Sequence, residues 1–349
     1  MRNLPELVSA VQHNCDVSDA RHAGEYGLCT FLLKMREYYR WENELPFSRA
    51  LPKDAVGEWL AARERQWGGL ETEPFRPLPI PGGALDPLDG GAVNAALGAQ
   101  GLVYSAGYGQ FRKPVFFLGK LLRAESREGF TILVSSCEYA RELAAPPAML
   151  QGRTIFIRLE SVRRFLWEKI EDGKWRKRGS AMARALDGYD FAANPESALA
   201  RMAECEMESM ILHELGEARA GERLGAAWRD MTAALSRPRS ELVARAVRDL
   251  IADCLSTLPV LLARRNHPAL HFYFATFDGL RRELFPDALA AYAAYAESGT
   301  LEALETLVRE GATRWLEVAQ SVLATTPAAR EGALEMLLAA RPARTAPIH

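Results

Sequence analysis

Two kinds of hydrophobic pattern divide the chain. Near the N-terminus and beyond residue 195, apolar residues recur every three or four positions, which is the period of an amphipathic helix. Between about 100 and 160 they form short runs rich in Val, Ile, Phe, Thr and Tyr, separated by turns that contain glycine, as is typical of strands. Residues 72–91 hold five prolines and four glycines and fit neither pattern, so they are predicted to be a loop or linker.

These patterns predict an α+β fold that is predominantly helical. The predicted helices are 3–12, 24–44 and 53–67 near the N-terminus, and 196–231, 238–264, 267–284, 285–297, 299–324 and 327–341 in the second half. The middle of the chain predicts a small antiparallel sheet of three or four strands. A hairpin turn is expected at 126–129, and a helix after residue 160 is expected to close the sheet module.

The domain organisation that follows has five parts. They are an N-terminal helical segment (1–71), a Pro/Gly-rich linker or loop (72–99), a small antiparallel β module with its closing helix (100–180), a C-terminal helical bundle (196–341) and a tail expected to be disordered (342–349). A length of 349 residues suits two domains or one large domain.

The composition is that of an ordinary globular protein, with 48% hydrophobic and 25% charged residues. A net charge of −2 gives no electrostatic footprint for nucleic acid or anionic lipid. Five scattered cysteines without a CxxC pair argue for a reducing compartment rather than a disulfide framework. Since neither a signal peptide nor a membrane-spanning stretch is recognisable, we expect a cytoplasmic protein.

Candidate chemistry is concentrated at 204–222, which holds six carboxylates and one histidine. Because one residue advances about 100° around an α-helix, Glu206, His213 and Glu217 fall on one narrow stripe. Carboxylates and imidazole together are a ligand set for zinc, iron or manganese. The alternatives are a solvated acidic face or a structural buried histidine. Apolar neighbours such as Met210 and Ile211 favour a helix that is at least partly buried.

The sequence ILHELGEA at 211–218 resembles the zinc-binding helix of the zincin metallopeptidases, where HExxH supplies two histidine ligands and a glutamate base. The resemblance implies that His213 is a ligand and that Glu214 is the general base. Glu217 stands where that family has its second histidine, and the match covers about eight residues of the chain.

The Glu-x6-His spacing of Glu206 and His213 is similar to the one on a core helix of the haem-oxygenase-like di-iron oxidases, which are all-helical. That similarity implies an oxygen-activating iron site among the helices of 196–341. The later His-x3-Asp-x2-His helix of those enzymes has no counterpart here. The nearest pairs are Asp249-x3-Asp253 and His267-x3-His271.

Two further helices could complete such a site. Asp249 and Asp253 lie four residues apart beside the apolar face of their helix, although an Arg245–Asp249 ion pair on a solvated face is the simpler interpretation. His271 follows the expected N-cap Asn266 and lies among aromatic residues, where a hydrogen-bonded core histidine is the alternative to a ligand.

The N-terminal region offers a rival cluster, which comprises His13, Cys15, Asp16, Asp19, His22 and Cys29. Its spacing matches no standard zinc motif. The favoured interpretation is a capping loop, with Asp16 or Asp19 as the N-cap of helix 24–44 and two cysteines in the core. A metal site, or a catalytic Cys15 beside His13, are the other interpretations.

The expected function is therefore that of a metal-dependent cytoplasmic enzyme, either a zinc hydrolase or an iron enzyme that activates oxygen, with manganese as a third metal. The candidate metal ligands are Glu206, His213, Glu217, Asp249, Asp253 and His271, and the candidate catalytic base is Glu214. The expected partner is an unknown small-molecule substrate, without nucleic acid or membrane, and a homodimer is left open. The competing interpretation is a non-enzymatic helical interaction or regulatory protein, in which the same residues form a network that fixes helix register.

Overall fold

The fold is taken from a computed structural model of the chain, which describes residues 3–109, 112–172 and 179–339. The chain divides into two compact units. The first unit comprises 1–171 and 189–207, and the second comprises 172–188 and 208–349. The prediction of an α+β, predominantly helical fold is confirmed.

Three helices open the first unit, and they are α1 (Leu4–His22), α2 (Leu28–Glu42) and α3 (Lys53–Gly68). The first helix is ten residues longer at its C-terminus than the predicted 3–12, so Asp16 and Asp19 are helical and cannot cap the next helix. The prediction failed because the second half of α1 buries polar side chains instead of continuing the apolar stripe. Asp16 lies beside Arg63 and Trp67, and Asp19 binds Lys113.

The Pro/Gly-rich segment contains regular structure that its composition hides. Two short strands, β1 (Leu78–Ile80) and β2 (Gly83–Leu85), pair antiparallel across a turn at Pro81 and Gly82. Helix α4 (Gly90–Leu97) follows, with the Asp89 side chain accepting a hydrogen bond from the Ala92 amide as its N-cap. The prediction of an element-free loop over 72–91 was wrong because a two-stranded sheet consists of edge strands, which tolerate proline.

A five-stranded sheet forms the middle of the first unit. Its strands are β3 (Leu102–Tyr108), β4 (Pro114–Arg127), β5 (Phe130–Arg141), β6 (Ala148–Gln151) and β7 (Thr154–Arg158), in the order β3-β4-β5-β7-β6. Neighbouring strands are antiparallel except for the parallel pair β5–β7. The predicted hairpin turn lies between β4 and β5, where Glu128 and Gly129 both have positive φ, as a two-residue hairpin loop requires.

Helix α5 (Leu159–Glu171) follows β7 directly, as the sequence predicted. The apolar core of the unit is built by α1 against the sheet. Leu7 and Val11 of α1 belong to the same fully buried cluster as Phe116 and Leu118 of β4. The polar second half of α1 extends beyond this cluster, towards the end of β5.

All regular elements described in the second unit are helices. It holds α6 (Ala181–Leu186), the part of α7 (Pro195–Ala234) from Glu208 onward, α8 (Pro238–Ala252), α9 (Leu258–Ala263), α10 (His267–Ala275), α11 (Gly279–Leu284), α12 (Pro286–Ser298), α13 (Glu302–Ala324) and α14 (Arg330–Ala339). Helix α7 is kinked at Gly225, whose φ of 70° and ψ of −168° are not helical. The predicted helix 238–264 is present but changes its hydrogen-bonding pattern after Ala252. The predicted helix 267–284 is broken, because the chain turns at Phe277–Asp278 before Gly279, whose φ is positive.

Within the described ranges, none of the helices combines the length and the apolar character that crossing a bilayer requires. The predicted disordered tail, 342–349, lies outside the described residues, as do the last two positions of the predicted helix 327–341.

Candidate metal centre

A π-helical turn, Asp253–Thr257, joins α8 to α9 and organises the centre of the second unit. Pro259 explains its position: proline has no N–H, so the carbonyl of Leu255 loses the donor that an α-helix would give it. The guanidinium of Arg219 on α7 replaces that donor, with 3.2 Å from its Nη1 to the oxygen of Leu255. The turn is therefore held by a side chain from a neighbouring helix.

Two glycines allow the neighbouring helices to approach this turn closely. A Cβ at Gly216 on α7 would lie 2.5 Å from the carbonyl oxygen of Ala252. One at Gly311 on α13 would lie 2.9 Å from the sulfur of Cys254. Because α7 passes so near, His213, one turn before Gly216, comes within reach of Asp253.

Asp253 orients His213. The Nδ1 of His213 lies 2.8 Å from Oδ1 of Asp253, while Oδ2 accepts hydrogen bonds from the Tyr273 hydroxyl at 2.8 Å and from Nη1 of Arg281 at 3.0 Å. The side chain of Asp253 is 1% exposed. Burial opposes its ionisation, but the charges of His213 and Arg281 prevail and lower its pKa. Both oxygens of Asp253 are thus engaged, by His213 and by the pair Tyr273 and Arg281.

Three side chains converge beside this pair. His213, Glu217 and Asp249 each offer one ligand atom, and these atoms all lie within 4.8 Å of one another. Because Oδ1 of Asp253 accepts a hydrogen bond from Nδ1, the other ring nitrogen of His213 faces the carboxylates, with 3.7 Å from Nε2 to Oε1 of Glu217. A carboxylate behind a histidine whose second nitrogen is available is the arrangement found behind metal-ligating histidines.

The charged groups around these atoms shift the pKa values of Glu217 and Asp249. Arg248 binds Glu217, with 2.7 Å between Nη2 and Oε1, and its Nη2 lies 3.8 Å from Oδ1 of Asp249. Burial opposes the ionisation of Glu217, yet His213 and Arg248 outweigh it and lower the pKa to about 2. Burial raises the pKa of Asp249 to about 6, and the charge of Glu217 adds to this.

The pKa of His213 itself is raised well above its usual value, because the charge of Asp253 outweighs the effect of burial. The imidazole is therefore protonated near neutral pH when no cation is bound. A metal ion would have to displace that proton, so its affinity is expected to weaken as the pH falls.

Glu214 lies on α7 next to His213 and is 8% exposed. Burial, followed by the charge of Glu217, raises its pKa to about 7. A carboxyl group with a pKa near neutrality can act as a general base or acid. It is not one of the three converging side chains.

Replacing Glu214 by glutamine should stabilise the protein at pH 8 and leave its stability unchanged at pH 4. The pKa of Glu214 in the folded protein, about 7, exceeds the ordinary 4.5. The free energy of unfolding of the wild type therefore decreases as the pH rises through that window. Glutamine removes this loss, which corresponds to about 1–3 kcal/mol. Urea unfolding at the two pH values measures it, with Glu222→Gln, an exposed site on the same helix, as the control. A gain that does not depend on pH would contradict the assignment.

The other sequence candidates lie elsewhere. Glu206 belongs to the first compact unit, where it is buried, and it is not part of the converging group. His271 has its Nδ1 3.0 Å from the hydroxyl of Tyr292, and its ring stacks on that of Tyr295. Helix α10 reaches the centre through Tyr273 instead. Arg245 binds Glu241, so the simple Arg245–Asp249 pair is not formed.

Sequence reasoning missed the cationic and hydroxyl partners of the centre. Arg248, Tyr273 and Arg281 were not among the candidate site residues. The spacing of Tyr273 from His271 could have indicated that only one of them faces the centre, because residues two positions apart lie on different faces of a helix. Pro259 could have indicated that the helix departs from α-helical hydrogen bonding in the turn that begins at Asp253, because proline has no N–H.

The N-terminal cluster does not assemble into a ligand group. Within the described ranges, His213, Glu217 and Asp249 are the one set of three or more ligand-type side chains that converge. His13 lies near the carbonyl of Pro74, and His22 pairs with Glu25. Burial raises the pKa of the Cys15 thiol, which donates to the carbonyl of Phe116. A protonated, buried thiol is not the reactive thiolate of a catalytic cysteine.

Two family models match the chain. The N-terminal domain of a family of unknown function, DUF6866, matches residues 6–158, and the C-terminal domain of the same family matches residues 163–341. No curated protein and no solved structure matches the chain.

Proposed function

We propose that this chain, which belongs to the family of unknown function DUF6866, is a metal-dependent enzyme whose divalent ion is bound by His213, Glu217 and Asp249. The carrying observation is the convergence of one imidazole and two carboxylates within 4.8 Å, with Asp253 behind the imidazole. Nitrogen and oxygen donors of this kind suit zinc, iron or manganese.

The charge balance supports a cation. Four carboxylates, those of Glu214, Glu217, Asp249 and Asp253, interact with one another around the centre. The fixed positive charges facing them are the guanidiniums of Arg248 and Arg281. With a neutral, metal-bound histidine, the excess is two negative charges when Glu214 is ionised and one when it is protonated, and a divalent ion would compensate it.

Glu214 favours hydrolysis over oxygen activation. A divalent metal lowers the pKa of a bound water and so supplies a nucleophile at neutral pH. A buried carboxyl with a pKa of about 7 beside the ligands suits proton transfer to or from such a water. We further propose a cytoplasmic location, because all five cysteines are unpaired.

Metal analysis tests the proposal. Protein purified without chelator should contain about one equivalent of metal, or should bind zinc or manganese saturably in calorimetry. His213→Gln and Glu217→Gln should weaken binding at least 100-fold, while the exposed control Glu222→Gln should bind like the wild type. A protein that binds neither ion, or variants that all bind equally, would remove the basis for the proposal.

The second candidate is a non-enzymatic protein in which these residues fix helix register, and the Arg248–Glu217 ion pair favours it. Arg248→Met separates the two functions. If a metal binds, releasing Glu217 from Arg248 should tighten the binding. In a purely structural network, the same change should destabilise the protein and produce no metal binding.

A further inference from the structure

Strand β4 of the first unit is longer than the neighbour that pairs with its outer edge. Strand β3 pairs with β4 only as far as Lys120, and the amide of Leu121 then donates to the carbonyl of Gly101 at 2.8 Å. Beyond that point β4 continues to Arg127 with β5 on its other side. Among the described residues, no strand pairs with the outer edge of residues 122–127, which we call the open edge. Its outward N–H and C=O groups could bind a further strand.

Side chains along the open edge are accessible. Leu122 is 59% exposed, and Ala124 and Ser126, which follow it on the same face of the strand, are exposed as well. The pairing of β4 with β5 is irregular before Arg123 and regular from Arg123 to Arg127. The open edge is therefore an ordinary extended strand with small side chains on one face, which leaves room for a neighbour.

The two terminal edges of the same sheet are better protected. On β3, the side-chain amide of Asn94 accepts from the N–H of Tyr104 at 2.9 Å and donates to its carbonyl oxygen at 2.5 Å. At the other end of the sheet, β6 spans only four residues. Side-chain cover and short edge strands both hinder pairing with another chain. The open edge of β4 has neither, and its protection consists of charged side chains.

Those charges follow an order that is complementary to itself. A two-fold axis perpendicular to the sheet keeps every side chain on its own face, so one residue of β4 must face its own copy. If that residue is Ala124, Arg123 of each copy lies opposite Glu125 of the other, and Lys120 lies opposite Glu128. An axis at Arg123 or at Glu125 would instead place like charges directly opposite each other, which is unfavourable.

We propose that the open edge of β4 docks a second copy of this chain, antiparallel, with the two-fold axis at Ala124. The two five-stranded sheets then form one continuous sheet, held by backbone hydrogen bonds between the paired edges. The charges of Arg123 and Glu125 select the register and favour a second copy over an extended segment of another protein. Because the paired segment is short, we expect a dissociation constant on the order of 10 µM.

Sedimentation velocity of the full-length protein tests the dimer, at concentrations from about 1 to 200 µM. Arg123→Glu should weaken dimerisation at least tenfold, because it places like charges opposite each other at both ends of the pair. Combining it with Glu125→Arg restores opposite charges and should restore the dimer. Arg65→Glu, the same change at an exposed position on α3, should dimerise like the wild type.

Cross-linking tests the register independently. Ala124→Cys, in a protein that also carries Cys29→Ser and Cys205→Ser, should form a disulfide-linked dimer on oxidation. Directly opposite residues of antiparallel strands lie about 4.5–5.5 Å apart at Cα, which a disulfide can bridge. Ser126→Cys lies on the same face of the strand but should not cross-link, because the axis at Ala124 places it opposite Leu122.

Four results would overturn the proposal. They are a wild-type protein that stays monomeric over the whole concentration range, a dimer that Arg123→Glu leaves unchanged, a double charge variant that does not recover dimerisation, and equal cross-linking through positions 124 and 126. If a charge variant does not fold, the comparison of Ala124→Cys with Ser126→Cys decides the question.

Discussion

Replacing Asp253 by alanine should destabilise the protein by about 3–5 kcal/mol, which is the usual cost of removing one partner from a buried ion pair. The carboxylate is buried in the π-helical turn and is shared by His213, Tyr273 and Arg281. Alanine leaves the guanidinium and the imidazolium without a counter-charge, and the hydroxyl without an acceptor. Urea unfolding at pH 7 measures the loss, and Asp230→Ala, an exposed carboxylate on α7, should stay within about 0.5 kcal/mol of the wild type.

A loss below about 1 kcal/mol would mean that Asp253 is not the common partner of these groups. Asp253→Asn separates its two roles. Asparagine can still accept from Arg281, but its amide would donate to Nδ1 of His213 and so place the imidazole proton on Nε2. With that nitrogen blocked, metal affinity should fall by about 10–100-fold, the usual effect of losing the carboxylate behind a ligand. Unchanged affinity in a folded Asp253→Asn protein would exclude Nε2 as the ligand atom.

The fold was predictable wherever one face of an element is apolar. The helices of the second half and the β4–β5 hairpin follow from spacing and turn residues, because their apolar positions are the ones that become buried. Prediction failed where an element buries polar groups that find partners far along the chain. The second half of α1 is the clearest case, since Asp19 meets Lys113 and the amide of Leu143. A periodicity argument treats such a stretch as a loop.

The candidate site was predictable only in part. Helical geometry alone predicted that His213 and Glu217 lie side by side. In the structure, Nε2 of His213 is 3.7 Å from Oε1 of Glu217. It could not tell which aspartate supports the histidine and which joins the converging group. That division depends on the π-helical turn, which begins at Asp253, and on the close approach at Gly216. Both are consequences of packing between helices, which one-dimensional spacing does not encode.

Arg158 is the residue of the first unit whose replacement should lower the free energy of unfolding most, because it is a buried charge with two buried partners. Its side chain is 1% exposed, lies over the ring of Phe117, and binds the carboxylates of Glu138 and Glu142. Glu138 also accepts from the amide and the hydroxyl of Ser161. Burial opposes the ionisation of Glu138, but Arg158 and then Arg141 prevail and hold its pKa at about 2.

Arg158→Met should therefore destabilise the protein by about 3–5 kcal/mol at pH 7, because two carboxylates stay buried while their main counter-charge is removed. The pH dependence should change sign as well. In the wild type, the contribution of Glu138 is present above pH 4.5 and is lost as the pH falls through about 2. In the variant, burial would raise that pKa above 4.5, so acidification from pH 7 to pH 5 should increase the free energy of unfolding.

Arg153→Met is the matched control, because Arg153 is exposed and lies over the ring of Phe130. We expect a loss below about 1 kcal/mol in this variant and no change in the sign of its pH dependence. A loss in Arg158→Met that is equally small, or a pH slope like that of the wild type, would show that the carboxylates do not depend on this arginine.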